Sequence, residues 1–300
     1  MEMAATEKAD KEERLIEQLH NDTVETLEFN HDDVGVMTAY AVCTQLCTKP
    51  NITSLSLCNL NLEYNAMKMI VDVFVENTTV QSLSLNVGYS LRKLPNGVHP
   101  WNLFLMRLSQ CQSLTTLDLR CNGNFPNAND GLCFLLRNAR LQNLSLSYWH
   151  SSLNEALWDN TSLCHLHLDR FYNTVTLSDF VPALIHARCT LQSLSFGFIA
   201  CDEDSLKRLA EYYKNPDTYC LQKLDLSRAN TFYMDYEELH RLFHDVMEHN
   251  TTLAVVVRSD GDINSDYVKH SLDLLAQQQR QMQKEMPKAA HVAVVRAYTE

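Results

Sequence analysis

Apolar and polar residues along this chain follow a pattern that recurs from Val24 to Leu253. In Leu114-Thr-Thr-Leu117-Asp-Leu119-Arg-Cys-Asn122 the apolar residues stand at positions one, four and six. Aligned on position one, the repeats start at Val24, Ile52, Val80, Leu114, Leu141, Leu163, Leu191, Leu221 and Leu253. The intervals are 28, 28, 34, 27, 22, 28, 30 and 32 residues, averaging about 28.6. Alternation along an extended segment sends positions four and six to one face and the residues between them to the other. The inward pairs are Leu27/Phe29, Leu55/Leu57, Leu83/Leu85, Leu117/Leu119, Leu144/Leu146, Leu166/Leu168, Leu194/Phe196 and Leu224/Leu226. No single repeat can bury such a stripe alone, so neighbours must stack and share one core.

The second part of each repeat carries apolar residues at helical spacing. Helices are expected over Val34–Leu46, Tyr64–Glu76, two turns around Leu153–Trp158, Ser178–Ala187, Glu203–Tyr213 and Tyr236–Glu248. Asp202, Asp204 and Asp235 suit N-cap or first-turn positions. The third repeat is longer, and its excess falls in Asn86–Pro100, where Gly88, Pro95, Gly97 and Pro100 predict a loop. A second irregular turn is expected over Cys121–Gly131. Leu253-Ala-Val-Val256-Val reads as the last strand. Three regions follow: an N-terminal cap helix within 1–23, an array of about nine repeats over 24–262, and a C-terminal cap helix and tail over 263–300. Polar-faced caps shield the open ends of such an array from water.

The repeat length, the helical second parts and the junctions Asn77-Thr-Thr-Val80, Asn160-Thr-Ser-Leu163 and Asn250-Thr-Thr-Leu253 resemble ribonuclease-inhibitor-type leucine-rich repeats. Leucine-rich repeats run to about 20–29 residues each. The class includes ribonuclease inhibitor and the arrays of NOD-like receptors, tropomodulin and the Ran GTPase-activating protein. The resemblance implies an α/β solenoid, a horseshoe with parallel inner strands and outer helices, and protein binding. The family's ninth-position Asn is matched only by Asn122, against Asp32, Leu60, Gly88, Trp149, Phe171, Ile199 and Ala229.

A net charge of −12 and no run of basic residues argue against nucleic-acid phosphates and anionic membrane as partners. The N-terminal residues carry no apolar leader, and ten dispersed cysteines without framework spacing read as reduced thiols. Both point to the cytoplasm. Of six glycosylation-type sequons, those at Asn51, Asn77, Asn160 and Asn250 fall in junctions that the repeat itself explains.

The outward strand residues supply the candidate chemistry. Positions three, five and seven form rows that include Ser54/Ser56/Cys58, Thr116/Asp118/Arg120, Asn143/Ser145/Ser147, His165/His167/Asp169, Ser193/Ser195/Gly197 and Lys223/Asp225/Ser227. His165, His167 and Asp169 share one face and are residue types that bind zinc, but the neighbouring rows offer no strong fourth ligand, so solvated histidines are expected and no metal or cofactor is assigned. Aromatic residues and arginines gather just after the strands of repeats five to eight. Tyr148, Arg170, Tyr172, Phe198, Arg228 and Tyr233 would form one rim, of the residue types that anchor protein interfaces; Trp149 and Phe171 are expected to turn into the core. No phosphate loop, GxSxG or HExxH is present. The expected function is a monomeric, non-enzymatic protein-binding scaffold whose partner contacts include His165, His167 and the rim. The alternative is a regulator of a partner enzyme, such as a small-GTPase activator.

Overall fold

The computed structural model describes residues 25–30, 36–49, 51–60, 64–87, 99–121, 129–147, 149–169, 176–185, 190–215, 221–230 and 254–256, with six helical residues between 238 and 249. The chain divides into two compact halves, Met1–Leu141 and Gln142–Glu300.

The N-terminal half alternates β1 (Thr26–Asn30), α1 (Val36–Thr48), β2 (Ser54–Leu60), α2 (Tyr64–Glu76), β3 (Ser82–Val87), α3 (Pro100–Leu108), β4 (Thr116–Cys121) and α4 (Asn129–Asn138). Its strands are parallel and pair in sequence order, with Leu27, Leu55, Leu83 and Leu117 aligned at position four. The C-terminal half contains β5 (Asn143–Leu146), α5 (Leu153–Asp159), β6 (His165–Asp169), α6 (Leu177–Leu184), β7 (Ser193–Ala200), α7 (Glu203–Tyr213), β8 (Lys223–Asn230) and β9 (Ala254–Val256). Here Leu144, Leu166, Leu194, Leu224 and Val255 align in parallel register. The architecture is therefore α/β, built from repeated strand and helix units.

The core forms where the inward strand residues meet the apolar helix faces. Leu55, Leu83, Leu117, Leu168 and Leu194 are fully buried, as are Phe74, Phe180 and Leu209 from the helices. This is the phase that alternation requires. The starts of β2, β3, β4, β6, β7 and β8 are each tied to the preceding strand by one backbone device. The position-two carbonyl accepts amides from positions two and three of the next repeat, as in Gln81 and Ser82 onto the Thr53 carbonyl at 2.8 and 3.0 Å. The same fork recurs from Gln192 and Ser193 onto Cys164 at 2.7 and 2.9 Å.

Side chains at the junctions complete the stacking. Asn77 Oδ1 accepts from the amides of Thr79 and Val80, both at 2.8 Å, and Asn77 Nδ2 donates to the Leu46 carbonyl at 2.9 Å. Asn160 repeats the first part, accepting from Ser162 and Leu163 at 3.0 and 2.7 Å. Cys111 stands at the same distance before its repeat start, and its thiol donates to the Phe74 carbonyl at 3.1 Å. Hydroxyls just before position one reach back one repeat as well: Thr79 to Ile52 at 3.1 Å and Thr190 to Leu163 at 3.0 Å. The sequon asparagines Asn77 and Asn160 thus serve the repeat junction, and Asn160 is 4% exposed.

Helices α2 and α7 have the expected limits, and Asp202 caps α7 by accepting from the Ser205 amide at 2.8 Å. Three expectations need correction. β9 stands one residue off the expected phase, since Val255 rather than Val256 aligns with Leu224 at position four. Pro100 does not interrupt a helix; it begins α3, where a missing N–H costs nothing and the fixed φ suits the first turn. Gly131 is not a turn residue but lies inside α4, where a Cβ would stand 2.7 Å from Asn102 Cα and 2.9 Å from its carbonyl oxygen. The Gly131 amide donates to Asn102 Oδ1 at 2.9 Å, so the glycine sets how closely α4 approaches α3. The expected cap helices, Asp235 and residues 88–98 of the third-repeat loop lie outside the described residues.

Candidate partner-binding face

Parallel sheets are ordinarily covered on both faces. Here positions three and five of β1 to β8 carry polar side chains that are half-buried or exposed, opposite the leucine core. In the N-terminal half, Glu28, Ser56, Ser84 and Asp118 align at position five. Ser84 Oγ lies 3.4 Å from Asp118 Oδ2, and Arg120 Nε lies 3.0 Å from the same oxygen, so this end of the row is a hydroxyl, carboxylate and guanidinium cluster. Much of the Arg120 side chain is exposed, so the pair contributes geometry more than stability.

In the C-terminal half the rows are Asn143, His165, Ser193, Lys223 at position three and Ser145, His167, Ser195, Asp225 at position five. His165 is exposed and His167 half-buried, two residues apart on β6. Lys223 Nζ pairs with Asp225 Oδ2 at 3.4 Å along β8. Among the described residues the Ser145 hydroxyl, which is shielded from solvent and lies beside His167, has no hydrogen-bond partner. Among the described residues no group of three or more His, Cys, Asp or Glu is placed to hold a metal ion.

Position seven departs from the expected row. Asp169 pairs with Gly197 as expected, but Gly197 pairs with Arg228 rather than Ser227, because the register of β7 against β8 shifts after Ser195. A bulge of this kind exchanges which residue faces a row, since the side-chain period is two. Arg228 and Phe198 also lie within strands rather than after them, as β7 and β8 continue to Ala200 and Asn230. Their side chains are outside the described residues, as are Tyr148, Arg170, Tyr172, Phe171 and Tyr233.

Trp149, next in the chain to the expected rim residue Tyr148, is 1% exposed. Its ring packs against Phe180 at 4.8 Å, and its Nε1 donates to Asn154 Oδ1 at 3.1 Å. Asn154 in turn donates to the Asp179 carbonyl at 2.8 Å, so the indole is fixed in the core with its one polar atom satisfied.

Two thiols elsewhere are shifted by burial. Burial, with Asp202 beside it, pushes the Cys201 thiol up to about 12, and burial with Cys47 and Asp72 nearby pushes Cys43 up to about 11. A thiol so shifted stays protonated at neutral pH. Lys214 is raised chiefly by its hydrogen bond to Asp245, at 2.5 Å. That contact ties α7 to the helical residues after it.

Comparison with models of known protein families and with curated proteins found no match for this sequence. Among the described residues no helix is long and apolar enough to cross a membrane.

Proposed function

We propose that this chain is a non-enzymatic protein-binding scaffold, a leucine-rich repeat solenoid of the ribonuclease-inhibitor-like type with its partner on the open face of the strands. The observation that carries the reading is the aligned pair of polar rows in the C-terminal half, Asn143/His165/Ser193/Lys223 and Ser145/His167/Ser195/Asp225. A uniform lattice of strands fixes these side chains at one strand spacing of about 4.8 Å. They mix donors, acceptors and both charges without converging on a catalytic centre. In this reading Tyr148, Arg170, Tyr172, Phe198, Arg228 and Tyr233 extend the contact at the strand ends, helices cap both ends of the array, and the protein works as a monomer in the cytoplasm.

Affinity capture from native cytosol, followed by titration of the recovered partner against variants, tests the proposal. Alanine at His165, His167, Arg170, Tyr172 or Tyr233 leaves folding nearly intact, with one or two positions costing roughly 2 kcal/mol or more in binding. Ser56→Ala and Ser84→Ala cost little. The reverse contrast moves the site to the N-terminal half. Accelerated hydrolysis when the protein is mixed with small GTPases replaces the scaffold with an enzyme regulator.

A further inference from the structure

On the helical side of the N-terminal half, α2 and α3 leave an open groove of about 260 Å³. Tyr64, Met67, Lys68, Val71 and Asp72 line one wall at the spacing of a single helix face, and Pro100, Leu103, Phe104 and Arg107 line the other. The groove has a cause in the repeat lattice. Cys111 occupies the junction place of Asn77, which puts Pro100 level with Ala66, so α3 lacks the first residues that α2 has from Tyr64. The beginning of α2 is left without a helical neighbour from α3.

The floor is apolar and buried, with Met67 at 1%, Val71 at 2% and Phe104 at 4% exposure. The rim is different. Leu103 is 38% exposed, and Arg107 Nε pairs with Asp72 Oδ1 at 3.2 Å across the groove. Lys68 is exposed and forms no ion pair among the described residues. Two cations therefore face one carboxylate at this rim, in a chain whose net charge is −12. The local sign opposes that of the whole molecule.

We propose that this groove docks an apolar side chain of a partner protein whose flanking residues are acidic, the anchor seated on Met67, Val71 and Phe104 and a carboxylate meeting Lys68. A buried apolar floor inside a charged rim is the arrangement in which a single anchor residue contributes most to binding. Size selects the occupant. Pockets for drug-sized ligands hold about 300–1,000 Å³, so this groove suits one side chain rather than a cofactor. Its length, from Tyr64 to Asp72, is about 12 Å at 1.5 Å per helical residue, too short and too open to enclose an acyl chain. The surface is separate from the strand face proposed above and does not rest on that reading.

The test uses the full chain with labelled methionine and leucine methyls, titrated with acetyl-Glu-Glu-Leu-Phe-Glu-Glu-amide and with its counterpart bearing Lys for every Glu. The Met67 and Leu103 methyl resonances shift saturably with the acidic peptide, at least tenfold tighter than with the basic one. Lys68→Glu inverts that preference, and Leu103→Asp abolishes the shifts while the remaining methyl spectrum stays that of the folded wild type. Variants of His165 and His167 leave the titration unchanged, so its failure is separable from failure of the strand-face reading. The proposal is overturned if neither peptide shifts Met67, if both bind equally, or if Lys68→Glu leaves the preference as it was. It is also overturned if decanoate shifts Met67 as the acidic peptide does, or if raising the protein concentration alone does so.

Discussion

Replacing Asn160 by Ala removes the one acceptor that serves two backbone amides at the start of the sixth repeat. The Leu163 amide, at 2.7 Å, belongs to a fully buried bond, whereas the Ser162 amide, at 3.0 Å, is partly open to water. An unsatisfied buried donor costs about 1–3 kcal/mol. The Leu163 amide carries that penalty in full and the Ser162 amide part of it, so Asn160→Ala should cost roughly 2–4 kcal/mol. Asn160→Asp keeps an oxygen in place. It also buries a carboxylate in a site 4% exposed at the end of α5, where desolvation and the helix dipole both oppose the charge. Its loss should therefore fall clearly below that of Asn160→Ala only at about pH 3, where the carboxyl is neutral. Urea unfolding gives the two differences, provided the slope against denaturant is unchanged. Hydrogen exchange adds a local readout, because the Leu163 amide should lose protection in Asn160→Ala and keep it in Asn160→Asp. If Ala costs less than about 0.5 kcal/mol, the level of ordinary surface changes, or if Asp still costs as much as Ala at about pH 3, the junction role assigned to Asn160 is wrong.

Leu117→Ala and Leu166→Ala should each cost roughly 2–5 kcal/mol in the same unfolding assay, because Leu117 is buried beside Leu83 and Leu166 is buried between Leu144 and Leu194. His165→Ala, on the opposite face of the same strand as Leu166, should stay within about 0.5 kcal/mol. Gly131→Ala should lower the melting temperature: helix propensity favours Ala by about 1 kcal/mol, but the new Cβ meets Asn102 backbone atoms at 2.7 and 2.9 Å, which can move only with α3. A more stable Gly131→Ala would refute the close packing of α3 and α4. The Cys201 thiol gives a pH signature. Its folded pKa lies above the ordinary 9.0, so the unfolded chain ionises first, and its contribution is intact below pH 9.0 and falls as pH rises from 9.0 towards about 12. Unfolding midpoints at pH 8 and pH 10.5 should therefore differ more in the wild type than in Cys201→Ala; equal differences would contradict the burial argument.

The candidate face was legible only in part. His165 and His167 could be placed together from the sequence because both stand on one strand, and two-residue spacing is enough to give a shared face. Their partners across the sheet, Ser145 and Ser195 beside His167, followed from aligning the leucines. Arg228 could not be placed in its row, since the shift after Ser195 depends on how β7 and β8 hydrogen-bond and leaves no mark in either strand alone. The groove between α2 and α3 was missed altogether, because it arises from a mismatch between two helix starts and not from any local pattern.

By itself the sequence determined the strand phase of β1 to β8 and the alternation of strands and helices, while β9 took its phase from its pairing with β8. Leu83/Leu85 and Leu166/Leu168 had to be inward because burial in a strand is decided by residues two apart, and the faces of α2 and α7 by residues three and four apart. Tertiary structure alone decided matters that hinge on a neighbour one repeat away. Asn77 and Cys111 make the same backward contact, to the carbonyls of Leu46 and Phe74, though one is an amide and the other a thiol. Pro100 and Gly131 looked like interruptions, yet one starts a helix and the other lets two helices approach, because what a residue contributes in a stacked array depends on the atoms the adjacent repeat brings against it.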